Sequence, residues 1–144
     1  MQKRINPWTW QDALSFSQAI EVNANGKVLY CSGQTSVDAD GKPLHPGNMA
    51  AQIAGAFEKL ETVLQAAGYD LSHVVRLNYY TTDMDAFTAA YSEITQRLAP
   101  RNLAPAGTLL QVSRLAVPGL MVEIEATAVM PPDTSLPGQR SGPR

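Results

Sequence analysis

The chain lacks the residue patterns that metal and cofactor sites usually need. Its single cysteine, Cys31, excludes an intrachain disulfide and favours a reducing, cytoplasmic environment. The two histidines, His45 and His73, have no metal-ligand spacing to that cysteine or to each other. No nucleotide-binding glycine loop and no hydrolase serine elbow is present. We therefore expect no metal and no cofactor, and any catalysis would use water with carboxylate, hydroxyl and backbone groups.

Long apolar runs and an excess of basic residues are also missing. No window approaches the roughly 18 apolar residues of a membrane span. Lys3 and Arg4 near the N-terminus are not followed by the apolar segment of a secretory signal. The formal net charge is −2, whereas a nucleic-acid binder normally carries a basic surface. We expect a cytoplasmic protein with neither a membrane nor a nucleic-acid partner.

Residues 1–130 have the pattern of one folded domain, since 144 residues fit a single domain. Residues 1–15 are expected to form a surface arm. An Asn-Gly turn at 23–26 then predicts a hairpin between strands at 17–22 and 27–32. Residues 131–144 contain four prolines and two glycines, so we expect a flexible tail there.

Two helices and three further strands follow. Asn48 is a candidate N-cap and Gly68 a candidate C-terminal stop for the first helix. Asp83 is placed to cap a second helix, which ends before Pro100. Strands are predicted at 73–81, 108–114 and 121–129. This order predicts an α+β fold with one mixed sheet and both helices on the same face.

The last strand carries Glu123 and Glu125 within an apolar run. The two side chains point the same way, and buried carboxylates are costly unless they are paired. Either one of them acts as a general acid or base, or both pair with Arg76 or Arg114 in a structural role. The sheet face that bears them is semi-polar, which is typical of an oligomer interface.

Several segments together resemble the Rid family, the reactive intermediate deaminases also called the YjgF family. The strand at 28–34 resembles its "SGQ" strand, and the helix end at 66–68 its "AAG". Residues 74–87 resemble its "V…D…DF" segment. Pro105-Ala106 and the strand at 122–126 resemble its "PAR" and "IEIEA" segments.

The resemblance implies a chorismate-mutase-like fold and a homotrimer. In that family, helix-free sheet faces meet around a threefold axis, and small-molecule pockets lie between subunits. Well-studied members hydrolyse enamines or imines to a keto acid and ammonia. A ribonuclease label sometimes attached to the family is disfavoured here by the acidic balance and the lack of a catalytic histidine pair.

The family's functional residues are only partly matched in this sequence. The family's pocket serine corresponds to Ser32, beside Gly33, and its water-activating glutamate to Glu123. Glu125 matches no pocket position, so it keeps the structural interpretation. The pocket tyrosine corresponds to Phe16, and the helix asparagine to Tyr91.

The substrate-carboxylate arginine of "PAR" is replaced by Gly107. Thr108 follows it, and the pocket cysteine corresponds to Leu109. Loss of a bidentate arginine contact costs on the order of 2–5 kcal/mol, which makes the usual 2-imino acid specificity doubtful. Arg101 is the candidate replacement cation. The expected function is an enamine or imine hydrolase with a larger or uncharged substrate; the alternative is a non-catalytic small-molecule binder on the same trimer.

Overall fold

The computed structural model describes residues 2–23 and 25–132. Within them the strands are β1 Gln2–Ile5, β2 Ala19–Val22, β3 Lys27–Gln34, β4 Val74–Thr81, β5 Ala106–Gln111 and β6 Val122–Met130. The α-helices are α1 Met49–Ala66, α2 Met84–Ala89 and α3 Ser92–Leu98. Most of the tail predicted at 131–144 lies outside the described residues.

The main sheet is mixed, as expected, with the strand order β3-β6-β4-β5. β6 runs antiparallel to both β3 and β4, whereas β5 runs parallel to β4. β5 is therefore an edge strand, and the carboxylate-bearing strand β6 is central.

The strand before the Asn-Gly turn has a different partner from the one expected. The amide of Gly26 donates to the carbonyl of Asn23 (3.3 Å), so the chain does turn here. However, β2 pairs with β1 in a separate two-stranded sheet, and β3 pairs with β6 instead. The predicted hairpin pairing is wrong, because the supposed surface arm supplies the strand that β2 uses.

α1 begins and ends as its local sequence predicts. The side-chain oxygen of Asn48 accepts a hydrogen bond from the amide of Ala51 (3.0 Å). At the other end Gly68 adopts a φ of 81°, and the amide of Tyr69 donates to the carbonyl of Leu64 (2.8 Å). This glycine-dependent ending closes the helix.

The second predicted helix is divided into α2 and α3. Asp83 caps α2 by accepting from the amide of Ala86 (3.0 Å). The helix breaks at Ala90 and Tyr91 before α3 begins. The break matters for function because Tyr91 faces the cavity described below.

The helices lie on one face of the main sheet, since α1 packs on β3 and β6, and both α2 and α3 pack against α1. No helix of the described part of the chain is long and apolar enough to cross a bilayer. The other face, called here the open face, bears the side chains of Tyr30, Ser32, Arg76, Asn78, Tyr80, Glu123, Glu125 and Thr127. Tyr30 is 81% exposed there, so residues 2–23 and 25–132 leave this face uncovered.

Candidate functional site

A cavity of about 380 Å³, called here the aromatic cavity, lies beside the edge strand β5. Its volume is within the range of small-molecule sites, roughly 300–1,000 Å³. None of the described side chains that line it is charged. The structure brings five predicted site residues together here: Phe16, Tyr91, Gly107, Thr108 and Leu109.

The segment before β2 forms another wall of the cavity and is held in place by hydrogen bonds. The hydroxyl of Tyr91 donates to the carbonyl of Leu14 (2.8 Å), which ties this segment to the helix break. Phe16 lines the cavity, and the ring of Trp10 meets it edge-on at 5.6 Å. Burial raises the pKa of Tyr91, so the phenol stays neutral at physiological pH.

Gly107 allows an unusually close approach of two strands. It is in register with Leu77 in the parallel β4–β5 pair. A Cβ atom at position 107 would lie 1.8 Å from the carbonyl oxygen of Leu77. The backbone as folded therefore accepts only glycine here, and the cavity wall carries no cation at this position.

Tyr79 also lines the aromatic cavity, although it was not among the residues predicted for the site. It is in register with Leu109, and its ring packs 5.7 Å from that of Phe87. The residue is only 8% exposed, and no residue of the described chain hydrogen-bonds its hydroxyl. Burial raises its pKa well above the usual value, with a smaller contribution from Tyr91. The alternation of side chains along β4 predicts that Tyr79 lies on the helix-covered face together with Leu77. This pattern was the sequence signal that could have identified Tyr79.

The remaining predicted pocket residues lie on the open face. A Cβ at Gly33 would fall 2.0 Å from Oε1 of Glu123, so the glutamate side chain lies directly over this glycine. The β3–β6 register shifts between Cys31 and Gln34, which is a β-bulge that contains Ser32 and Gly33. Ser32 is exposed beside it. Gly33 and Glu123 line one shallow depression.

Glu125 is held by hydrogen bonds and not by the arginine pair that we considered. Its Oε1 accepts from Nδ2 of Asn78 (3.0 Å) and, at short range, from the hydroxyl of Tyr80. These bonds, the one from Tyr80 first, lower the pKa of Glu125. Arg76 instead donates to the hydroxyl of Thr108 (3.3 Å), and Arg114 lines the depression beside the glutamates.

Arg101 is placed away from the aromatic cavity. Its Nη1 lies 3.2 Å from Oε1 of Glu61 on α1, and it lines a different surface hollow. The chain reverses just after it, where Asn102 adopts a left-handed φ of 54°. The structure therefore does not bring this candidate replacement cation to Gly107.

The two groups of predicted residues occupy opposite faces of the sheet within one chain. Leu77 and Tyr79, which line the aromatic cavity, face the helices, while Tyr80 and its partner Glu123 face the other way. One chain thus carries a cavity whose described lining has no charged side chain and, separately, a carboxylate over a glycine bulge.

Comparison with known proteins identifies a family, relatives and solved structures that are similar to this chain. The family model described as Endoribonuclease L-PSP matches residues 10–130. Protein DfrA of Myxococcus xanthus is 40% identical over 114 residues, which cover 79% of this chain and 84% of DfrA. The 2-iminobutanoate/2-iminopropanoate deaminase of Rattus norvegicus is 35% identical over 121 residues, which cover 84% of each chain. The crystal structure of YyfB from Yersinia pestis, a protein of the Rid family, matches with a TM-score of 0.78 at 30% identity, covering 90% of this chain and 98% of that one.

Proposed function

Because the chain belongs to the YjgF/Rid family, we propose that it hydrolyses enamines or imines whose recognition does not depend on a carboxylate. The observation that carries the proposal is the position of Glu123 over Gly33. No described residue hydrogen-bonds this carboxylate, so it can accept a proton from water. Some relatives are named 2-iminobutanoate/2-iminopropanoate deaminases, which supports imine hydrolysis as the proposed chemistry. The uncharged lining of the aromatic cavity is the reason for proposing substrates without a carboxylate, unlike the 2-imino acids named for these relatives.

We also propose that the working form is a homotrimer in which open faces meet. Tyr30 is largely exposed on that face, and the hydrogen-bonded carboxylate of Glu125 would retain its partners in an interface. Ser32, Gly33 and Glu123 of one subunit would then complete the aromatic cavity of its neighbour. This assembly explains why one chain separates the two groups of residues.

The proposed reaction needs only water and one proton carrier. Glu123 accepts a proton from water while the water oxygen forms a bond to the imine carbon, and it then passes that proton to the nitrogen, which regenerates the carboxylate. The carbinolamine that results passes its hydroxyl proton to the glutamate, and the carbon–nitrogen bond breaks as the carbonyl forms. The glutamate's proton accompanies the departing nitrogen, so imine plus water gives carbonyl compound plus ammonia. An enamine enters the same route once its β-carbon is protonated.

The test compares Glu123→Gln with Glu58→Gln, an exposed carboxylate on α1. Neutral imines are generated by an amine oxidase and imino acids by an amino-acid oxidase, and ammonia release is followed above the enzyme-free rate. We expect Glu123→Gln to lower the protein-dependent rate about 100-fold or more, the usual contribution of a general base. Glu58→Gln should match the wild type. Equal rates for wild type and Glu123→Gln would remove the proposed role.

A second candidate function is a non-catalytic small-molecule binder on the same scaffold, and the backbone contact at Gly107 favours it. Because position 107 excludes every side chain, it cannot supply a charged group that would bind a charged substrate in the cavity. Thermal stabilisation by a metabolite, with no ammonia release from any imine, would support the binder over the hydrolase.

A further inference from the structure

The hydroxyl of Tyr79 is the notable polar group of the aromatic cavity. Buried tyrosine hydroxyls normally have a hydrogen-bond partner. The Tyr79 residue is only 8% exposed, yet no described residue bonds its hydroxyl. This hydroxyl is not sealed inside the protein as that of Ser36 is, and Tyr79 lines the aromatic cavity, so the hydroxyl opens onto the space where a ligand would bind.

The position of Tyr79 is rigid, which suits a recognition role. Its backbone is fixed on both sides, by pairing with Leu109 on β5 and Ile124 on β6. Its ring is held against Phe87 at 5.7 Å. Tyr91, the second phenol of the cavity, already donates to Leu14. Tyr79 therefore has an uncommitted donor in a fixed place.

The other residues that line the cavity determine what kind of ligand surface can pack there. Phe16, Leu77 and Leu109 present aromatic and aliphatic surfaces, and no described lining side chain of this chain has a charge. An anionic ligand would lose its hydration here without gaining a counter-ion from that lining. A flat apolar body can pack against these rings instead.

We propose that Tyr79 is a specificity-determining residue that donates a hydrogen bond to an acceptor atom of an uncharged, flat, apolar ligand bound in the aromatic cavity. The inference rests on the proposed function for the identity of the site, and it names the ligand class. It concerns binding, so it is separable from turnover. The acceptor is a carbonyl oxygen or an imine nitrogen, because both present a lone pair in the plane of an sp² centre.

The test uses three small aromatic probes of similar size with Tyr79→Phe, which removes one oxygen and keeps the ring. Acetophenone has an acceptor oxygen, ethylbenzene lacks one, and benzoate carries a charge. Tyr69→Phe is the control, because Tyr69 lies at the end of α1, outside the cavity, where its hydroxyl reaches only the carbonyl of Lys27 (3.4 Å). Affinities are measured by protein-observed NMR titration of the full chain.

For acetophenone we expect Tyr79→Phe to weaken binding about 3- to 10-fold, the effect of one neutral hydrogen bond. Ethylbenzene should bind both proteins equally, and benzoate should bind more weakly than acetophenone. Tyr79→Phe should also melt at or above the wild-type temperature, because it loses no internal bond. Tyr69→Phe should leave every affinity unchanged.

Three results would overturn the inference: acetophenone binding that ignores Tyr79→Phe, benzoate binding at least as tight as acetophenone, or no binding of any probe at millimolar concentration. The proposed hydrolase fails by a different route. It fails when Glu123→Gln retains wild-type turnover, whatever the probe affinities are.

Discussion

Replacing Gly107 by alanine tests whether the two strands approach as closely as the structure indicates. The new methyl carbon would lie 1.8 Å from the carbonyl oxygen and 2.9 Å from the carbonyl carbon of Leu77. An ordinary contact needs about 3.4 Å or more, so β5 must move away from β4 by over 1 Å. The clashing atoms are backbone, and no side-chain rotation relieves them. The six register pairs between β4 and β5 are then disturbed as well.

The expected cost of Gly107→Ala is about 2–4 kcal/mol, made of overpacking of about 1–3 kcal/mol and at least one weakened ladder hydrogen bond of about 1 kcal/mol. For a chain of this length that lowers the melting temperature by roughly 5–15 °C. Urea unfolding followed by circular dichroism gives the free energy of unfolding. Gly41→Ala is the matched control, because Gly41 has a φ of 80° and open space around it. It should cost only the left-handed backbone penalty of about 1 kcal/mol.

Gly107→Arg should be at least as destabilised and should gain no affinity for carboxylate compounds, since its side chain starts from the same blocked Cβ. A stable Gly107→Ala protein would refute the close approach. A stable Gly107→Arg protein that binds 2-imino acids would refute the argument that the backbone at this position has no room for an arginine side chain.

Two further predictions concern the open face. Gly33→Ala should lower imine hydrolysis about 100-fold with little change in melting temperature, because its methyl group displaces the flexible Glu123 carboxylate from a position 2.0 Å away; unchanged kcat/KM would count against that geometry. Glu125 has a lowered pKa in the folded state, so its contribution to stability is present above its unfolded pKa and is lost as pH falls through the folded value. Urea midpoints measured from pH 6 to pH 3 should therefore fall less steeply for Glu125→Gln than for the wild type, and parallel curves would show that the bond from Tyr80 does not stabilise the ionised form.

The parts of the fold that local chemistry controls could be predicted from sequence. Asn48 and Gly68 bracket α1 because a side-chain acceptor and a left-handed glycine satisfy the helix ends without help from distant residues. The order of strands and helical segments from β2 onwards, and the side of β4 on which Leu77 and Tyr79 lie, followed from the sequence pattern, whereas β1 and the division of the second helix did not. The partner of β2 did not, because an Asn-Gly turn specifies a reversal and not the strand that lies alongside.

The candidate site could be predicted only in part, because its parts depend on distances between elements. Glu123 and Gly33 were both selected, and the β-bulge that brings them into contact is a property of pairing. Arg101 is six residues before Gly107, yet the reversal at Asn102 directs it towards α1. The spacing of six residues between Arg101 and Gly107 does not reveal that the chain changes direction at Asn102.

Gly107 and Tyr79 are connected through the register of β4 and β5. Leu77 lies beside Gly107 and Tyr79 beside Leu109, so these four residues form one patch on the cavity wall. On β5 that patch has no polar side chain, and on β4 it has one phenol whose hydroxyl is uncommitted among the described residues. Recognition through a charged side chain at position 107 is thus sterically blocked, whereas recognition through the neutral donor of Tyr79 on β4 is available. The combination favours uncharged ligands more strongly than the loss of an arginine alone would, because a hydrogen-bond donor remains to orient them.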